Sequence, residues 1–107
     1  MNKMDDRGDA FENKFAHDEE LRFKATARRN KLLGLWAAEL LGKSGAAADD
    51  YAKEVIRSDF EEPGDEDVYR KIREDFDNAG VAQSEHQIRR TMDELMAKAA
   101  EQIQSDS

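Results

Sequence analysis

The 107-residue sequence contains no cysteine. Disulfide bonds, thiol nucleophiles and cysteine-ligated zinc or iron–sulfur centres are therefore excluded. It has one proline and six glycines, so long segments run without a helix breaker. Its two histidines, His17 and His86, stand in no metal-ligand spacing. No run approaches the roughly 18 apolar residues that a membrane-spanning helix needs. The first residues lack the apolar region of a signal peptide, which gives the expectation of a cytoplasmic protein without direct membrane insertion. No segment sustains the apolar–polar alternation of a half-buried strand.

What remains is a charged, helix-forming chain. Charged residues make up 39% and hydrophobic residues 38%, enough for one small core. The net charge of −8 is uneven. Residues 1–20 hold three basic and seven acidic residues, whereas residues 21–45 hold six basic and one acidic. Residues 46–80 are again acidic, with five basic and twelve acidic residues. This balance argues against a general nucleic-acid binder. The basic band reads first as a solvated face that offsets the acidity around it.

Four segments have helical character, at about 20–42, 46–60, 66–79 and 84–103. In the first, Leu32, Leu35, Trp36 and Leu40 share a face, widened by Leu33, Ala37 and Leu41. "GKSG" stops it, with Gly42 or Gly45 at the C-cap. The second groups Tyr51, Val55 and Ile56, with Ala48, Ala52 and Phe60 extending that face. Pro63, Gly64 and an N-cap at Asp65 then separate it from the third. In the third, Val68, Ile72 and Phe76 recur every four residues. The fourth opens on Ser84 and Gln87 at capping-box spacing and carries the stripe Ile88, Met92, Leu95, Ala99 and Ile103. The expected fold is all-α: a compact four-helix domain over residues 20–104, with a frayed tail at 105–107.

Residues 1–19 are expected to form a flexible N-terminal arm. Ordering a residue costs about 1–2 kcal/mol, and this stretch offers little burial in return. Phe11 and Phe15 are its only large apolar anchors, four apart and so on one helical face. They either cover one end of the chain's own core or belong to a latent helix that folds in a partner's groove. In the second case, the helical pattern running on into "LRFKATARRNKLL" would let the arm grow from a formed helix, which avoids nucleation.

Chemistry-bearing motifs are weak. "LLGKSG" ends like a phosphate loop, but Ala37 stands where the motif needs its first glycine, and a helix precedes it. Arg28, Arg29 and Lys43 are the residues that could make weak adenine-nucleotide contacts. No cofactor is required by any pattern. Carboxylate groupings such as Glu61–Glu62 and Asp65–Glu66–Asp67 fall in an expected exposed connection rather than in contrasting sheltered environments, so no acid–base pair emerges.

"DRGDAFENKFAHDEELRFKATARRNKLLGLWAAELLGKSG", "YAKEVIRSDFEEPGDEDVYRKIREDF" and "HQIRRTMDELMAKAAEQI" resemble the ATPase inhibitor subunit zeta family of alphaproteobacterial F-type ATP synthases. The resemblance spans essentially the whole chain. It implies a non-enzymatic regulator, monomeric when free, whose arm folds as a helix inside the F1 head. The implied partners are the F1 alpha, beta and gamma subunits. The helix would lie at a catalytic alpha/beta interface near gamma and block ATP hydrolysis more than synthesis. It would be peripheral to the inner membrane when bound. Carried over, the contacts fall on Asp5, Arg7, Phe11, Glu12, Lys14, Phe15, Arg22 and Lys24, with Arg28 and Arg29 on the linking helix. Gly8 departs from the polar or acidic residue usual there and weakens helix near the tip. A small nucleotide-responsive domain without F1 inhibition is the alternative reading.

Overall fold

A computed structural model of the chain describes residues 19–61 and 64–106. The expected arm, apart from Glu19, lies outside the described residues. Among the described residues four helices form: α1 Glu19–Leu40, α2 Gly45–Ser58, α3 Glu66–Ala79 and α4 Glu85–Asp106. Among the described residues all regular structure is helical, as the breaker-poor sequence predicts. Ser105 and Asp106, expected in a frayed tail, continue α4.

Local signals account for the helix ends. Gly42 takes a left-handed conformation with φ 77°. This lets the Lys43 N–H donate to the Ala38 carbonyl at 2.8 Å and the Gly42 N–H to Glu39 at 3.1 Å. Carbonyls at the end of α1 are thereby satisfied. A similar return bond from the Val81 N–H to the Phe76 carbonyl, 2.9 Å, closes α3. The capping box of α4 is reciprocal: the Ser84 N–H donates to Gln87 Oε1 at 2.8 Å, and the Gln87 N–H to Ser84 Oγ at 3.1 Å. Asp65 precedes α3 as expected, but its side chain makes no capping bond. Its carboxylate accepts from Arg29 instead.

α1 is the central element, packed against both α2 and α4, while α3 packs on α2 and α4. The stripes of α3 and α4 are buried where the periodicity places them, except Leu95, which is half-buried. Val68, Ile72, Phe76 and Ile88 are fully inaccessible, and Met92 and Ala99 nearly or fully so.

The core face of α1 differs from expectation. Leu33, Gly34, Ala37 and Ala38 are buried, whereas Leu32, Leu35 and Trp36 are half-buried and Leu40 is exposed. The cause is a close helix crossing. A Cβ added to Gly34 would lie 2.5 Å from the Ala52 Cα, so small residues must face α2. Trp36 flanks this crossing and meets Phe76 edge-on, with ring centroids 5.6 Å apart.

Phe60 does not extend the buried face of α2. The helix ends at Ser58, whose hydroxyl donates to the Val55 carbonyl at 2.7 Å. Tight turns follow, with N–H groups of Asp59, Phe60 and Glu61 reaching Ile56, Arg57 and Ser58. They carry Phe60 out to 69% exposure.

Candidate functional site

The sequence-predicted residues separate into three groups. Asp5, Arg7, Phe11, Glu12, Lys14 and Phe15 lie outside the described residues. Arg22 and Lys24 are exposed on the first turns of α1, and Lys24 pairs with Glu20 at 3.3 Å. Such an exposed i,i+4 pair adds little stability and leaves both side chains available. Arg28, Arg29 and Lys43 form the third group, and they do not converge. Arg28 reaches across to α4, donating to Gln102 Oε1 at 2.8 Å. Lys43 is exposed beyond the end of α1, about 20 Å along the axis from Arg28 at 1.5 Å per residue.

Arg29 is not on a solvated face. It is only 2% exposed, and its guanidinium donates to Asn30 Oδ1 at 2.7 Å and Asp65 Oδ1 at 2.8 Å. Asn30, itself buried, also hydrogen-bonds Asp59, and Asp67 is buried nearby. Burial, with negative charge from Asp67 and Asp65, pushes the Asp59 carboxyl above its ordinary value, although Asn30 and Arg29 pull the other way. One buried arginine and one buried asparagine thus tie α1 to both ends of the α2–α3 connection. Charge patterning alone cannot distinguish such an arginine from a surface one.

A second tie joins α2 to α3. The Tyr51 hydroxyl donates to Asp75 Oδ2 at 2.6 Å, and Lys71 bridges Asp75 and Glu54, each at 3.1 Å. Burial and the Asp75 carboxylate push the Tyr51 hydroxyl well above its usual range. Burial works to discharge Lys71, but hydrogen bonds to Asp75 and Glu54 outweigh it and hold the ammonium charged. A tyrosine kept protonated and a lysine kept charged act here as structural donors. Neither is poised as a base or nucleophile. Among the described residues no group of three or more His, Asp or Glu could hold a metal ion.

The exposed face of α1 near Glu19 holds the feature that periodicity missed. Phe23 is 60% exposed, and its ring lies 6.4 Å from that of Phe60. Glu19, Arg22, Phe23 and Thr26 line an open cleft of about 330 Å³ beside it. The cleft lies where the N-terminal segment enters the helical unit.

The family model for ATPase inhibitor subunit zeta matches residues 1–102. The chain belongs to the ATPase inhibitor subunit zeta family. The match takes in the acidic N-terminal segment, α1, α2, α3 and α4 as far as Gln102. Family membership makes the chain an inhibitor subunit associated with an ATP synthase, a regulatory rather than catalytic role. The fold is similar to a structure solved by solution NMR, with 49% sequence identity and a TM-score of 0.72. That likeness covers 81% of this chain and 99% of the other. No curated protein matches the chain. Among the described residues no helix is long and apolar enough to cross a membrane.

Proposed function

We propose that this zeta-family chain inhibits ATP hydrolysis by inserting its N-terminal segment, as a helix, at a catalytic alpha/beta interface of the F1 head near gamma. The observation that carries this reading is the extent of the family match, which begins at residue 1 and runs through the four-helix unit. In this reading Phe11 and Phe15 are the apolar anchors. Asp5, Arg7, Glu12 and Lys14 make the polar contacts, and Arg22 and Lys24 continue them onto α1.

A wedge of this kind needs no chemistry of its own. Hydrolysis requires the catalytic cleft to reshape as the stalk turns. A helix that binds one rotational state more tightly than the others stabilises that state by its differential affinity. On F1 residues 1–18 would be helical, and α1 supplies a formed helix from which to propagate. Rotation in the synthesis direction opens the cleft and releases the helix, so hydrolysis is blocked more than synthesis.

The test is ATP hydrolysis by purified alphaproteobacterial F1, with the full chain, a Phe11→Ala/Phe15→Ala variant and a chain beginning at Glu20. The expected result is inhibition by the full chain alone, with the other two retaining native helicity. Equal inhibition by the chain lacking residues 1–19 would overturn the wedge.

A further inference from the structure

The two long helices both outrun the hydrophobic core. On α1 the first core residue is Leu33, fourteen residues after Glu19. On α4 the last fully buried core residue is Met92, fourteen residues before Asp106, with half-buried Leu95 packed against the cluster. Burial along these overhangs is sparse. Among residues 19–28 only Ala25 is buried, and among residues 97–105 only Ala99 and Ile103.

The overhangs lie side by side. Leu33, Ala37 and Ala38 share the core with Ile88 and Met92, while Arg28 donates to Gln102 Oε1 at 2.8 Å. From that bond α1 runs forward to the core and α4 runs backward to it, so the two helices are antiparallel. At equal rise per residue, Gln102 opposite Arg28 sets Met92 level with Ala38, in agreement with the shared core. The same register sets Ile103 level with Ala27, within one turn of Ala25. Isolated helices shorter than about 12–15 residues are marginal in water, and packing supplies most of their stability. Each overhang therefore depends on the other. On its other side α1 meets only the ring of Phe60, itself mostly exposed.

On α1 the overhang has a defined inner boundary. Arg29 and Asn30 are buried and tied to Asp65 and Asp59 across the α2–α3 connection. Opening past them would leave carboxylates, a guanidinium and an amide without partners, which is costly. Opening from the Glu19 end is thus stopped at this clamp.

We propose that the first turns of α1 and the last turns of α4 form one cooperative unit, separate from the core, that opens and closes as a whole while the Arg29–Asn30 clamp holds the remainder. The end of α4 is then a switch for the start of α1. Whatever loosens residues 97–105 withdraws the helix at residues 19–28, and the coupling is reciprocal. Its use in inhibition rests on the reading above, because a helix that grows backward from residue 18 propagates only from a formed base.

The experiment is amide hydrogen exchange, read by NMR on the full chain under native conditions. Residues 23–28 and 100–105 are expected to show matching protection, at least about tenfold weaker than at residues 33–38, Ile72 and Phe76. Ala97→Gly changes an exposed position on α4 and removes only helix propensity. It is expected to speed exchange about fivefold at residues 100–105 and by the same factor at residues 23–28 on the other helix. Ile103→Ala is expected to speed both sets at least about tenfold, with Ile103→Val close to the unchanged chain. Faster exchange at residues 100–105 with residues 23–28 unmoved would show two helix ends fraying independently and overturn the proposal. Equal acceleration at Ile72 and Phe76 would also overturn it, since the unit would then be part of the core. Both readouts are taken on the free chain, so a full chain that failed to inhibit F1 would overturn the wedge and leave the cooperative unit standing.

Discussion

Two aromatic pairs join α1 to other parts of the molecule, one inside and one outside. Trp36 meets Phe76 of α3 edge-on at 5.6 Å, with Phe76 wholly inaccessible. Phe23 meets Phe60 at 6.4 Å, with both rings more than half exposed. The rings are chemically alike and the separations are close. What differs is the surroundings, and therefore the job. The inner pair excludes water and its apolar area stabilises the fold. The outer pair leaves most of its area wet, so that stabilisation is still available to a binding event.

The largest expected effect breaks the comparison most directly. Phe76→Ala should cost about 3–5 kcal/mol, because a fully buried ring is replaced by a cavity. Phe60→Ala should cost about 0.5 kcal/mol or less, the usual range for an exposed position. Denaturant unfolding of the two variants checks this. Similar losses would mean that the outer pair is a structural clasp.

A smaller effect sharpens the inner side. Gly34→Ala gains roughly 1 kcal/mol of intrinsic helix propensity. Against that, the new Cβ would stand 2.5 Å from the Ala52 Cα, which is backbone and cannot rotate away. Overpacking of this kind costs about 1–3 kcal/mol, so the net change is expected to be a loss of stability. A lower Tm for Gly34→Ala checks the sign. A gain would show that α1 and α2 slide apart readily.

These two variants mark what was legible in the sequence. Phe76 belongs to a stripe with polar residues on its other side, so period alone places Val68, Ile72 and Phe76 in the core. α1 gives no such guide over Leu32–Leu41, where every face carries apolar residues. The eye takes the large side chains as the core face, yet the closest crossing belongs to Gly34, Ala37 and Ala38. Phe60 misleads for a related reason. It keeps the spacing of the α2 stripe, but that helix has ended two residues earlier. Arg29 could not be separated from Arg28 by sequence at all. Its burial depends on Asp65, 36 residues away, and so on how α3 is brought back to α1. The candidate surface thus stayed half hidden. Its basic residues were legible by charge, whereas its aromatic pair depended on a turn that only the folded connection reveals.

The smallest expected effect concerns the network behind the outer pair. The Asp59 carboxyl is pushed above its ordinary value, first by burial and then by the charges of Asp67 and Asp65, with Asn30 and Arg29 opposing. Its proton is therefore held more tightly in the folded chain than in the unfolded one. The stability that this proton contributes is fully present below the unfolded carboxylate value of about 3.9 and is lost as pH rises through the raised folded value. Asp59→Asn keeps the shape and a hydrogen-bond acceptor for Asn30 but cannot titrate. The stability of the unchanged chain, measured against that of Asp59→Asn, should fall across this acidic window and level off above it. The same subtraction isolates Asp59 from the chain's other carboxylates, which titrate in both proteins. A difference that stayed flat would mean that solvent reaches the carboxylate freely, and the connection holding Phe60 beside Phe23 would be looser than the buried Arg29 and Asn30 make it.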